Sequence, residues 1–110
     1  MGKKLRRFDQ TDRQNGRKTL QLCRQVERSL CYALGSVGDD VLGGLLVMSV
    51  DPAPDATHLL VSVSISDEDV QPEEVLQHLG TALPRLRQEV ARDIHRRRVP
   101  DLGFRCIANN

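Results

Sequence analysis

Apolar positions along this chain recur with two different periods, and the changes between them outline a fold. From Arg17 to about Leu34, the residues Leu20, Cys23, Val26, Leu30, Ala33 and Leu34 share one face at helical spacing. Gly35 follows where a helix would end, and Gly38-Asp39-Asp40 reads as loop. Leu45 to Val50 is an apolar run of strand length suited to burial. Asp51-Pro52-Ala53-Pro54-Asp55 closes it, because proline cannot donate to a ladder. His58 to Ser66 then alternates, with Leu59, Val61, Val63 and Ile65 on one face and Ser62, Ser64 and Ser66 on the other. That is a half-buried strand, expected to pair antiparallel with the one before it.

A second helical pattern runs from Gln71 to Arg98 behind the acidic Asp67-Glu68-Asp69, with Pro72 in its first turn. Its apolar face is Val75, Leu76 and Leu79, then Leu83, Leu86, Val90 and Ile94. Gly80-Thr81-Ala82-Leu83-Pro84 interrupts it. A proline there removes a backbone donor and crowds the preceding turn, so the pattern predicts two helices or one with a sharp kink. Val99-Pro100 stops the helix, and Leu102, Phe104 and Cys106 alternate inward along a last strand. The order helix, strand, strand, kinked helix pair, strand predicts an α+β domain: a three-stranded sheet with helices mostly on one face.

A chain of 110 residues makes one such domain, here residues 17–110. Residues 1–16 are rich in Lys, Arg, Asp and Gln without apolar periodicity and read as a flexible basic N-terminal arm. Hydrophobic residues at 39% argue against disorder. No run reaches membrane-span length and no signal-peptide pattern opens the chain, so the expected location is cytoplasmic, with no membrane partner.

Sixteen Lys and Arg against fifteen Asp and Glu leave a net charge of +1, which alone names no partner. Divided along the chain, the balance is uneven. Residues 1–18 hold seven cations and two acids, net +5. Residues 19–84 hold only Arg24 and Arg28 against ten acids, net −8. Residues 85–110 hold seven arginines and three acids, net +4. Arg17, Gln21, Arg24 and Arg28 line a stripe apart from the core stripe of the first helix. Arg85, Arg92 and Arg96 fall opposite the apolar face of the last helix, and Arg97 and Arg98 extend the cluster. Such rows can be a solvated helix face, and cations near a helix C-terminus also complement its dipole. Arginine's planar fork equally suits phosphate. The two rows become one surface only if the fold brings the helices together.

Other chemistry is sparse. Cys23, Cys31 and Cys106 have no metal-ligand spacing and read as small apolar residues. His58, His78 and His95 are scattered one per element, and the strand serines lack a nucleophile-elbow context. The carboxylates of Asp67-Glu68-Asp69 and Glu73-Glu74 suit a helix start. Nothing here suggests catalysis, a metal, a cofactor or a small-molecule substrate. Gly35-Ser36-Val37-Gly38 precedes an acidic loop rather than a second helix and reads as a helix stop. Phe8, Tyr32 and Phe104 are the only aromatics, so any recognition of nucleic acid would rest on phosphates and shape rather than on stacked bases.

Four stretches carry a resemblance. The first helix begins with basic residues near Arg17 and continues through Arg24-Gln25-Val26. Leu59-Leu60-Val61-Ser62-Val63 ends in Val-Ser-Val. Leu86-Arg87-Gln88-Glu89-Val90-Ala91 matches a pattern Leu-Arg-x-Glu-hydrophobic-Ala. Arg97-Arg98-Val99-Pro100-Asp101-Leu102-Gly103-Phe104 matches Arg-Arg-Val-Pro-x-Leu-x-Phe. Together, over about Arg17 to Cys106, they resemble bacterial ribosome-binding factor A, and the last stretch is the most specific. The resemblance implies a type II KH-like fold in which an Ala-x-Gly kink replaces the usual Gly-x-x-Gly loop. Ala82, Leu83 and Pro84 stand at that kink, with proline in place of the family's glycine, as in a divergent member.

The resemblance further implies a non-enzymatic assembly factor that binds the immature small ribosomal subunit and its rRNA, supports late rRNA maturation and is linked to cold adaptation. The expected RNA-binding residues are Arg85, Arg92, Arg96, Arg97 and Arg98, extended by Arg17, Arg24 and Arg28. The free protein is expected to be a monomer. The alternative is a KH-like protein-interaction or dimerisation module that has lost RNA binding, working through its sheet edge and acidic centre.

Overall fold

The computed structural model describes residues 2–95 and 98–107, with side chains from Gly16 onward. Six elements follow in order: α1 (Gly2–Ser36), α2 (Asp40–Gly43), β1 (Leu45–Pro52), β2 (His58–Ile65), α3 (Pro72–Ile94) and β3 (Asp101–Ile107). The strands form one sheet in the order β1-β2-β3. β1 and β2 are antiparallel, and β2 and β3 are parallel. A parallel pair needs a long crossover, which α3 supplies.

The core lies between the sheet and α1 and α3. Val26, Leu30 and Ala33 of α1 are buried, as are Val61 and Val63 of β2 and Val75, Leu79, Leu86 and Val90 of α3. Each valine or leucine among them, removed from water, contributes about 1.5–3 kcal/mol. The stripe of α1 is shifted from the expected one. Leu22 is buried whereas Leu20 is 57% exposed, because Leu22, Val26 and Leu30 form the i, i+4 row that faces the sheet.

α1 also begins earlier than its apolar pattern predicts, taking in the backbone of residues 2–16. Apolar spacing reports packing rather than helicity. Lys, Arg and Gln are good helix formers, and extending an existing helix adds one bond per residue fixed. The loop expected at Asp39-Asp40 is a short helix. Asp39 accepts from the amides of Val41 and Leu42 and starts α2, which buries Leu42.

Helices cover only one face of the sheet. The apolar run of β1 is therefore not buried throughout: Leu45 and Val50 face inward, while Leu46 and Met48 remain 53% and 51% exposed. A bulge at Met48 shifts the register between Val47 and Ser49. The extra residue lets Val50 return to the core face after Val47. Ser62 and Ser64 point away from the helices as their alternation predicts, yet both are buried. They are small residues on the central strand. Leu46 and Ile107 flank Ser64, and Ser49 and Arg105 flank Ser62.

The interruption around Pro84 does not split the last helical pattern. α3 is one helix from Pro72 to Ile94 with Pro84 inside it. Proline removes its own N–H and crowds the carbonyl four residues back, and that residue is the exposed Gly80. Leu79 before the proline and Leu86 after it are both buried in the same core, which holds the two halves on one seam.

Candidate nucleic-acid interface

α1 and α3 lie side by side on the sheet. Near one end, Asp39 Oδ2, just beyond α1, is 2.7 Å from His78 Nδ1 on α3. Further back along α1, the Ser29 hydroxyl lies 3.5 Å from Glu89 O. Advancing along α1 therefore means retreating along α3, so the helices are antiparallel. Arg17, Arg24 and Arg28 are exposed on α1, and Arg85 and Arg92 are exposed on α3. Arg17 and Arg24 are two turns apart, as are Arg85 and Arg92, so each row keeps to one face of its helix. Both rows point away from the sheet, and the fold gathers them on the outer surface of one helical layer. Arg92 is held only loosely, its Nη1 4.0 Å from Glu89 Oε1.

The remaining arginines divide. Arg98 is exposed at the turn before β3, beside a hollow of about 260 Å³ lined by Thr57, His58 and Asp101. Arg96 and Arg97 lie outside the described residues. Arg87, two residues after Arg85 and so on another face of the helix, turns its guanidinium toward that same turn. Nη2 lies 3.4 Å from both Val99 O and Asp101 Oδ1, tying α3 to the start of β3. Arg105 is on the opposite face of the sheet, where Nε donates to the Ser62 hydroxyl at 2.7 Å; it does not adjoin the end of α3.

The acids are sorted as well. Ser66 Oγ donates to Gly44 O at 2.7 Å, bringing the loop that carries Asp67, Glu68 and Asp69 against the end of α2. Asp39, Asp40, Glu73 and Glu74 flank this junction. The helical layer is therefore acidic at the end where α3 begins and basic toward the end where it finishes. Asp51, Asp55 and Asp101 lie instead on or beside the sheet at the basic end. The His78 ring, hydrogen-bonded to Asp39, holds that carboxyl below the usual range. The amides of Leu42 and Val41 act in the same direction, against partial burial. The Thr57 hydroxyl and amide lower Asp55. Burial raises all three thiols, so they stay protonated and act as apolar groups.

Between α1 and α3 runs a groove of about 520 Å³ lined by Gln25, Arg28, Ser29, Tyr32 and Asp93. Sequence patterning did not pick out these residues as a set. Gln25, Arg28, Ser29 and Tyr32 do share helical spacing, but Asp93 joins them only through the packing of α3.

The fold and this arrangement of helices have solved counterparts. This chain is similar to the crystal structure of ribosome-binding factor A from Thermus thermophilus. The TM-score is 0.70 and the identity 31%, over 80% of this chain and 93% of that one. The chain belongs to the ribosome-binding factor A family. It is also similar to a homology model of the Thermus thermophilus ribosome-binding factor A fitted into the cryo-EM map of a 30S–RbfA complex. There the TM-score is 0.61 and the identity 31%, over 74% of this chain and 86% of that one. No protein-family model matches the sequence, and neither does a curated protein. Within a ribosome-binding factor A fold, Ala82 and Leu83 are half-buried and Pro84 is exposed, in the middle of α3. Among the described residues, no three His, Cys, Asp or Glu side chains group as metal ligands, and no helix is long and apolar enough to cross a membrane.

Proposed function

We propose that this chain is a ribosome assembly factor that binds the immature small ribosomal subunit and its rRNA and supports late rRNA maturation without catalysis. One observation carries the reading: the likeness, at 31% identity, to a ribosome-binding factor A placed in a complex with the 30S subunit. The charge layout supports it. Arg85 and Arg92 on α3 lie along phosphates, with Arg17, Arg24 and Arg28 of α1 widening the footprint. By sequence, Arg96, Arg97 and Arg98 and the basic segment 1–16 supply further cations for RNA phosphates. The acidic end of the helical layer repels phosphate and so helps to orient the protein on its site. Support of maturation in the cold belongs to the same role.

The half-exposed Leu46 and Met48 on the open sheet face favour a second reading, a KH-like interaction module without RNA binding. Salt separates the two, since contacts with several phosphates weaken steeply as salt rises. The direct test is to recover the tagged full-length chain from its native cells at low salt and sequence the RNA that accompanies it. Small-subunit rRNA with unprocessed ends should dominate. RNA drawn evenly from the cell, or none, would overturn the assignment.

A further inference from the structure

The groove between α1 and α3 has a chemistry that a phosphate-binding surface does not need. Tyr32 is 78% exposed, the most exposed of the large apolar side chains among the described residues. It stands one turn beyond Arg28 on the same stripe, so an aromatic face and a guanidinium share one wall with the Gln25 amide. The opposite wall is Asp93, next in the chain to Arg92. A carboxylate there repels phosphate, whereas it attracts the neutral hydrogen-bond donors on a base edge. The volume of about 520 Å³ falls in the ordinary range for small-ligand sites, about 300–1,000 Å³. The flanking cations Arg24, Arg28 and Arg92 are placed to hold the phosphates on either side of a base seated between the helices.

We propose that this groove receives one unpaired RNA base, stacked on Tyr32 and read by Asp93, and that it prefers guanine. Guanine presents two adjacent donors, N1–H and the N2 amino group, which match the two oxygens of a carboxylate. Adenine and cytosine offer a single amino group, and the N–H of uracil is flanked by acceptors. The Gln25 amide or the Arg28 guanidinium can donate to guanine O6. Stacking is thereby added to the phosphate contacts that the charge pattern alone predicts. The inference rests on the RNA-binding reading above and sharpens it to a particular base and a particular pair of side chains.

The test uses the full chain and fluorescently labelled RNA: an oligouridine with one central guanosine, an all-uridine oligomer of the same length, and an RNA duplex. Binding is followed by anisotropy. The guanosine should raise affinity about tenfold over uridine, a typical contribution of one stacked and bidentately held base. Tyr32→Ala should abolish that advantage and Tyr32→Phe should keep it. Asp93→Asn should erase the preference for guanosine, while the all-uridine oligomer and the duplex, relieved of one repelling carboxylate, should bind no more weakly than to wild type. Because the chain has one tyrosine and no tryptophan, its intrinsic emission reports on Tyr32 alone and should be quenched by the guanosine oligomer. Salt-sensitive binding of every RNA with no guanosine preference, or unchanged affinity in Tyr32→Ala, would overturn the base site and leave phosphate binding standing. Absence of binding to any of the three RNAs would overturn both.

Discussion

Pro84→Ala returns to α3 an amide that its ladder lacks, the donor to the carbonyl of Gly80 four residues back. Proline in a helix interior costs about 3 kcal/mol relative to alanine, which sets the upper limit of the gain. Less should be recovered, because Leu79 and Leu86 are already packed around the proline-shaped backbone and because alanine frees the unfolded chain by about 0.4–1 kcal/mol. Space does not oppose the change, because Pro84 is exposed and alanine is the smaller residue. The expected gain is about 1–2 kcal/mol. For a domain near this size that corresponds to a Tm rise of about 4–8 °C. Urea unfolding followed by circular dichroism measures it, with an unchanged m-value confirming that the gain is in stability. An equal or lower midpoint would refute the reasoning and mean that the core requires the proline-set path of α3. The same variant, if it straightens α3, should alter affinity for small subunits.

Asp39 caps α2 and bonds His78, and its folded-state pKa lies below its unfolded value. Its stabilisation is therefore complete above about pH 4 and is lost as pH falls through the lowered value. Asp39→Ala should cost about 1 kcal/mol at neutral pH, and the gap from wild type should shrink on acidification; a gap constant from neutral to acidic pH would contradict this. Arg87→Met keeps the packed stem but loses the contacts to Val99 and Asp101. It should lower stability by about 0.5–1.5 kcal/mol in thermal melts while leaving RNA affinity unchanged. A clear loss of affinity in the folded variant would place Arg87 in the interface after all.

Much of the architecture was readable from residue spacing. The alternation of Leu59, Val61, Val63 and Ile65 set the central strand, and the order of elements set a sheet with helices on one face. What escaped was information that spacing does not hold. The extent of α1 before Arg17 depends on helix propagation, which leaves no apolar mark. The run through Leu46 and Met48 looked buried because apolarity does not say whether a strand has a layer on both sides. Spacing takes Arg87 off the Arg85–Arg92 stripe and puts Arg105 opposite Phe104 and Cys106, but the partners they reach, Val99 and Asp101 for one and Ser62 for the other, come only from packing. The two arginine rows were legible because a helix repeats every two turns, and their union on one surface needed the antiparallel contact of α1 with α3. Tyr32 was visible as one of few aromatics, but its groove exists only once Asp93 is brought opposite.

The central claim is that the outward arginine rows hold this chain on the small ribosomal subunit. Sedimentation of purified small subunits with wild type and with an Arg24→Glu, Arg28→Glu, Arg85→Glu, Arg92→Glu variant tests it most directly. All four positions are exposed, so the variant should keep its circular dichroism spectrum and remain folded. Wild type should pellet with the subunits at low salt and be released as salt rises, and the folded variant should stay in the supernatant. Co-sedimentation of the folded variant at wild-type levels would contradict the claim.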